Sequence, residues 1–539
     1  MKPFLTLHDP AAARRFYDEG LWADDTFYGL MARHAAARPG AKALRDGRVI
    51  LDWQSLKARV DAMADNLHEA GIYAGDRVSI WMSNRVEAII TFLACSREGI
   101  ACNPSLHRSY TCAEIVDLLT ELQSRAILTE DGWGADRHAQ DFKAMLRALP
   151  FLKQVYTPKN FPMHIMGVDR PAHENPDSVV YLAFTSGTTG KPKCVMHSSN
   201  TLLANARDLV RDWSLSETSC ILTLSPLSHH IAWVAVAQWL VCGGLLVTND
   251  PPEGVTPMQW IVETGATYVL GVPTHAMDIL SEQRKAGLQR LGQVETFYMA
   301  GSPIPEVVAE AFVKQGITPQ NIYGMTECSS HQYTHPSDRR DVWIQTCGRG
   351  GPAYEVKIWN PENPDEEMPQ GKSGNIGGRG AAMMLGYFAN QAATEGTFNR
   401  HGYLLSGDLG SFDANGNLRI EGRIKDLIIR GGHNIYPAQI ESHALTHAGV
   451  EKAAAFGVPD ERLGEKVCLA IIGDLGADEM LEHLARDGLS RFDMPEWYIA
   501  VDTLPLTASG KILKRELTEM VKRGELAPQP VRYSEQKAT

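Results

Sequence analysis

Short apolar runs alternate along most of this chain with stretches whose apolar residues return at helical spacing. That rhythm limits the fold more than any other feature. Leu56, Val60, Met63 and Leu67 recur every three or four residues, and Gly71 is placed to stop the helix. Residues 77–82 read as a strand, 86–95 as a helix and 100–102 as the start of another strand. Strand, helix and strand in turn is the order of an α/β fold with largely parallel strands. The rhythm returns with strands predicted at 221–224, 245–247, 267–270 and 296–299, each followed by turn residues. In such sheets ligands lie beyond the carboxyl ends of the strands, so the loops there are where chemistry is expected. Residues 1–50 read as a helical lead-in.

At 539 residues the chain is too long for one core and should divide into domains. Between Pro352 and Phe412 the texture changes to short Gly-rich pieces, with Gly371, Gly374, Gly377, Gly378, Gly380 and Gly386, which suggests an antiparallel barrel or meander. Past Arg423 a compact α/β pattern reappears. It has strands expected at 453–458, 467–472 and 497–501, and a helix carrying Met480, Leu481 and Leu484 that Gly488 stops. About 115 residues are enough for an independent small domain.

Composition excludes some classes. The 44% apolar and 22% charged residues are those of an ordinary globular protein. A net charge of −12 offers no basic footprint for nucleic acid or a membrane surface, so an anionic ligand would need a local cationic pocket. The nine cysteines are scattered with no C-x-x-C pair, which disfavours a zinc site and suits a reducing cytosol. Met1 to Gly20 has no apolar core of a signal peptide. The run from Ile231 to Val247 is interrupted by Gln238 and Gly243-Gly244. It is expected to be a buried helix leading into a strand, not a membrane span.

One loop stands out. The apolar run Val179 to Phe184 reads as a buried strand, and it ends in Thr185-Ser186-Gly187-Thr188-Thr189-Gly190-Lys191-Pro192-Lys193. A helix is expected directly after it, capped in Ser198-Ser199-Asn200. Glycines let backbone N–H groups turn toward an anion, hydroxyls add donors and lysines add charge, which is the chemistry of a polyphosphate cradle. The spacing is not that of the common P-loop, since Thr185 and Pro192 stand where Gly and Ser or Thr would be needed. Gly348 to Ala353 formally fits a dinucleotide fingerprint, but Pro352 and the lack of a following helix make it a turn.

Further motifs follow in order. Asn321-Ile322-Tyr323-Gly324-Met325-Thr326-Glu327 comes after a predicted strand. There a Glu could hold Mg²⁺, a hydroxyl could touch phosphate and a Tyr could stack on a base. Asp408, in the turn Ser406-Gly407-Asp408, could accept from ribose hydroxyls. Arg423 precedes Lys425 and an apolar run ending at Gly431-Gly432, and Lys511 lies on a loop before a last helix.

The order Thr185–Lys193, Tyr323–Glu327, Asp408, Arg423, Lys511 resembles the adenylate-forming enzymes, a group of acyl-CoA synthetases, carrier-protein-loading adenylation domains and beetle luciferases. Within it the chain looks most like bacterial CoA ligases for medium-chain, aromatic or alicyclic acids such as cyclohexanecarboxylate. The resemblance implies an α/β fold with a large N-terminal domain over 1–423 and a small mobile C-terminal domain over 424–539, hinged near Lys425. It also implies ATP, Mg²⁺ and coenzyme A as reactants and cofactor, with a small carboxylic acid as substrate and a cytoplasmic setting. By motif, Thr185 to Lys193 would hold the β- and γ-phosphates, with Ser186, Gly187, Thr188, Thr189, Gly190 and Lys191 between them. Gly301, Ser302, Asn321 and Tyr323 would hold adenine, and Asp408 and Arg423 the ribose. Thr326 would touch the α-phosphate, Glu327 would bind Mg²⁺ and Lys511 would be the catalytic cation. His229, Trp233, Tyr298, Gly324 and His331 would shape the acyl pocket, and Gly431-Gly432 would lie near CoA. The chain departs from the family pattern at Cys194, Ala232 and His433, each beside an expected binding segment. A carrier-protein thiol in place of CoA, a catalytically dead nucleotide-binding scaffold and a luciferase-like oxygenase are the other readings.

Overall fold

In the computed structural model the run Val179–Thr185 is a strand inside a six-stranded sheet. The structure describes residues 2–7, 9–163, 170–185, 192–302, 304–507 and 511–533, and structural statements below concern those residues. Across this sheet the strands run Gln154–Tyr156, Ala126–Thr129, Arg77–Trp81, Ala101–Asn103, Val179–Thr185 and Lys193–Ser198, all parallel except the last. A second, eight-stranded sheet has the order Ser329–Tyr333, Thr318–Met325, Thr296–Met299, Tyr268–Gly271, Cys220–Thr223, Leu245–Thr248, Lys42–Arg45, Ile50–Asp52. Its inner pairings are parallel, and the outermost pairing at each edge is antiparallel.

One hydrophobic core joins the two sheets. Val78, Ile80 and Tyr181 come from the first sheet and Leu44, Ile221, Leu246 and Leu270 from the second. Helices Phe27–Ala37, Trp53–Glu69, Val86–Glu98 and His230–Cys242 supply the rest. The last of these is apolar on every side because it is enclosed, as a helix buried in a large core should be. The rings of Trp53 and Trp239 stack at 5.1 Å and tie two of these helices together.

The Gly-rich region forms a four-stranded antiparallel meander: Tyr354–Trp359, Gly374–Gly380, Leu404–Phe412 and Leu418–Arg423. After a short 3-10 turn, Ile424–Asp426, comes a third unit built on its own six-stranded sheet. Its helices Pro437–Leu445 and Ala477–Arg486 cover one apolar cluster. Gly431 and Gly432, with φ of 59° and 86°, make the two-residue turn of a hairpin between Ile428–Arg430 and His433–Ile435. A salt bridge of 3.0 Å from Lys452 to Asp278 joins this unit to the body of the protein.

Three local expectations change. The loop after Thr185 leads not into a helix but into an antiparallel strand, Lys193–Ser198, and only then into helix Ser199–Asp212. The expected cap is there, since Ser198 Oγ accepts from Thr201 N–H at 3.2 Å as the N-cap of that helix, but His197 and Ser198 are polar and do not read as the end of a strand. Both are nonetheless buried, with Thr201 bonding to each. The lead-in holds helices Pro10–Asp18 and Phe27–Ala37 but also an edge hairpin, Lys42–Arg45 with Ile50–Asp52. The segment Asn321 to Met325 lies within strand Thr318–Met325 and not after it.

The Trp53 ring is fully buried, while its indole N–H finds no hydrogen-bond partner among the described residues. Packing rather than polarity therefore accounts for its worth. Trp53→Ala should cost roughly 3–5 kcal/mol and Trp53→Phe clearly less, read as the shift in the thermal or urea unfolding midpoint of each variant.

Candidate active site

The site is assembled from the ends of several elements. Asp408 and Arg423 sit opposite each other on adjacent strands of the meander, and Arg423 Nε donates to Asp408 Oδ1 at 2.9 Å. The second carboxylate oxygen accepts from the Tyr323 hydroxyl at 2.9 Å, so the meander is bonded to the end of the eight-stranded sheet. Burial, then the Asp408 charge, pushes the Tyr323 phenol well above its usual range and keeps it a donor.

Beyond Tyr323 the backbone turns sharply. A Cβ on Gly324 would meet the Ser329 carbonyl oxygen at 1.8 Å, so a side chain there would force the Met325–Thr326–Glu327 turn outward. The Thr326 carbonyl accepts from His197 Nε2 at 2.7 Å, and the Nδ1 of the same ring meets Thr201 Oγ1 at 2.9 Å. Burial drives His197 down to about 4 and its stacked neighbour His230 to about 3, so both rings stay neutral and act as fixed struts. His230 in turn reaches Ser329 Oγ at 2.9 Å. Neither histidine was expected here, because neither His197 nor His230, which directly follows His229, carries a spacing signal.

Glu327 is 5% exposed, and its Oε1 accepts from the Tyr387 hydroxyl at 2.8 Å. Burial raises its pKa above the ordinary carboxylate value, against the hydrogen bond and the positive charges of Lys193 and Arg423.

Lys511 arrives from the third unit. Its backbone N–H donates to Thr507 Oγ1 at 3.0 Å, Thr507 N–H donates back to its carbonyl at 2.7 Å, and Leu506 pairs with Ile512. This ladder projects the side chain against the Gly301 backbone. A Cβ on Gly301 would lie 3.0 Å from Lys511 Cε and 3.6 Å from Nζ. Burial first, then Arg423, lowers the ammonium pKa to about 8, while Asp408 and Glu327 act the other way. Sequence positions from 301 to 511 thus converge on one charged cluster.

Other expected residues are placed as follows. Thr185 Oγ1 donates to the Lys193 carbonyl at 3.4 Å across the mouth of the loop, and Ser186 to Lys191 lie outside the described residues. Asn321 Oδ1 accepts from Cys347 Sγ at 3.4 Å, and Ser302 is exposed. His229 stacks on His107 at 4.3 Å. Trp233 and Tyr298 are core residues, the first donating to the Leu227 carbonyl and the second paired with Ser330. His331 is buried between the rings of Tyr323 and Tyr354. Gly431 N–H is given to the Leu463 carbonyl within the third unit's own sheet region, and Lys425 is exposed in the 3-10 turn.

Lys511 should acylate as an amine of pKa about 8, against about 10.4 for an ordinary lysine. Competitive labelling with acetic anhydride over a pH series, read by peptide mass spectrometry, should place its midpoint there. A midpoint like that of surface lysines would contradict the buried placement.

Two family models match the chain: the AMP-binding enzyme model over residues 31–388 and the AMP-binding enzyme C-terminal domain model over 439–511. The medium-chain fatty-acid–CoA ligase of Escherichia coli is 27% identical over 97% of this chain and 95% of its own length. A feruloyl-CoA synthase of Amycolatopsis is 29% identical over 90% of this chain and 97% of its own. Among solved structures, ATP-bound MatB from Rhodopseudomonas palustris superposes with a TM-score of 0.82 at 27% identity, covering 92% of this chain and 99% of that one. A body of parallel-rich sheets, a small terminal domain and two model matches in the same order lead to one assignment: the chain belongs to the AMP-binding enzyme family, within the adenylate-forming superfamily, and its relatives are acid–thiol ligases.

Proposed function

We propose that the protein is an ATP-dependent carboxylic acid–CoA ligase that works through an acyl-adenylate on a medium-chain or cyclic acid such as cyclohexanecarboxylate. The observation that carries this reading is the Lys511 side chain seated against Gly301, within the fields of Asp408, Glu327 and Arg423. Residues 1–423 would form the adenylation domain and 424–539 the domain that brings Lys511, with Lys425 as hinge. ATP would lie with its phosphates at Thr185 to Lys193, adenine by Gly301, Ser302, Asn321 and Tyr323, and ribose on Asp408 and Arg423. This setting is cytoplasmic in our reading, and among the described residues no helix is long and apolar enough to cross a membrane.

Physical chemistry supplies the roles. A carboxylate must approach the α-phosphate in line, so two anions are brought together. The Lys511 ammonium would offset that repulsion and stabilise charge on the α-phosphate and on departing pyrophosphate, with Thr326 as a further donor. Glu327 fits a Mg²⁺ ligand: it is a buried carboxylate whose charge is disfavoured by desolvation, a cost that a bound cation would offset, and Mg²⁺ is commonly held by one or two carboxylates plus substrate phosphates. When bound, Mg²⁺ would neutralise phosphate charge as a Lewis acid. The CoA thiolate then attacks the carbonyl carbon of the adenylate and AMP leaves. For that step the small domain would rotate at Lys425 and present the Gly431-Gly432 turn in place of Lys511.

The acyl group would enter a pocket shaped by His229, Trp233, Tyr298, Gly324 and His331. Relatives named for medium-chain and feruloyl substrates support an acid of that size. A carrier-protein thiol remains the alternative acceptor, and release of free acyl-CoA separates the two.

Lys511→Ala should lose adenylation, measured as pyrophosphate exchange, by roughly 10²–10³-fold, and keep thioester formation from supplied acyl-adenylate. Equal loss of both halves would contradict the role. In a CoA-formation screen, octanoate, benzoate or cyclohexanecarboxylate should exceed acetate in kcat/KM by at least about tenfold. A preference for acetate would overturn the substrate reading.

A further inference from the structure

The segment Met384 to Phe388 lies along strand Lys193–Ser198, the strand that leaves the predicted phosphate loop. Leu385 N–H donates to Met196 O at 2.8 Å, Met196 N–H to Gly386 O at 3.0 Å and Phe388 N–H to Cys194 O at 2.7 Å. Val195 and Tyr387 form the bridge between them. At the other end, Met384 N–H donates to the Glu327 carbonyl at 2.7 Å. Tyr387 is therefore fixed on both sides: its own N–H is held by Thr394 Oγ1 at 3.0 Å, and the residue is 5% exposed.

From that position one side chain serves two charges. The phenol O–H donates to Glu327 Oε1 at 2.8 Å. The face of the same ring carries the Lys193 ammonium, 4.8 Å from its centroid, within the range of a cation–π contact. A Phe would keep the packing and the ring face and remove the hydroxyl that Glu327 accepts from, which also lies within reach of the Thr397 side chain. Burial and the Glu327 charge hold the phenol proton in place, far above the usual range for Tyr.

We propose that Tyr387 is a positioning residue that couples the lysine closing the phosphate loop to the carboxylate that takes the divalent cation. Its hydroxyl aims Glu327, and its ring seats Lys193. This rests on the reading of Glu327 as the metal ligand, so the test separates the two.

Tyr387→Phe removes only the hydroxyl. The concentration of Mg²⁺ needed for half-maximal pyrophosphate exchange should rise roughly 10- to 100-fold, the usual effect of losing a partner that orients a metal ligand. Affinity for Mn²⁺ in the ATP complex, measured by electron paramagnetic resonance without turnover, should fall in parallel, while thioester formation from supplied acyl-adenylate is kept. Tyr387→Leu, which also removes the ring, should in addition raise the KM for ATP. In the Glu327→Gln background, Tyr387→Phe should add no further loss of Mn²⁺ affinity, because the phenol acts through the carboxylate. Unchanged Mn²⁺ affinity in Tyr387→Phe, with a clear loss in Glu327→Gln, would overturn the role of Tyr387 alone. Unchanged affinity in both would overturn the Glu327 reading as well. A full additional loss in the double variant would show that Tyr387 acts by some other route and would likewise overturn the proposal.

Discussion

The Lys511 ammonium sits in a partly dry pocket, where burial and the Arg423 guanidinium oppose its charge and the carboxylates of Asp408 and Glu327 favour it. The balance leaves a lysine of pKa about 8, charged at neutral pH but held at some cost in desolvation. Such a cation gains most when an anion arrives, and a triphosphate is the anion that the surrounding motifs suit. The other parts of the site can be understood as means of holding this group and its partners in register. The Thr507–Lys511 ladder aims the side chain, and the bare backbone of Gly301 makes room for it.

The body of the protein supplies rigidity from several directions. Tyr323 bonds the meander to the eight-stranded sheet through Asp408, His197 ties the six-stranded sheet to the Thr326 carbonyl, and Tyr387 links the strand after the loop to Glu327. These three contacts join three separate sheets at one place. The third unit meets the body through Lys511, through helix Pro437–Leu445 and Tyr436 beside strand Leu418–Arg423, and through the Lys452–Asp278 pair, in which Asp278 is 63% exposed. Exposed ion pairs contribute little, which suits a domain that is proposed to leave and return.

Much of the fold was legible. Strands such as Thr296–Met299 announce themselves as short apolar runs buried on both faces, and helices such as Trp53–Glu69 by apolar residues at helical spacing. Strand Lys193–Ser198 was missed because His197 and Ser198 are buried polar residues that are paired within the fold, which one-dimensional spacing cannot express. The charged residues singled out in the sequence, Asp408, Arg423, Glu327 and Lys511, come near one another in the fold. Their supports were not legible. Tyr387 and His230 belong to no recognised spacing, and their partners lie 60 and 99 positions away, so only the folded chain reveals them. Trp233 and Tyr298, which the family resemblance puts at the acyl pocket, are buried in the core.

The central claim is that the seated Lys511 serves the first half-reaction and must leave for the second. It can be tested by replacing Lys452 and Asp278, whose side chains meet at 3.0 Å, with cysteine and bridging them with a short bis-maleimide. The account predicts that the bridged protein retains pyrophosphate exchange but no longer forms thioester from supplied acyl-adenylate, while the same protein before bridging does both. Thioester formation at full rate in the bridged protein would contradict it.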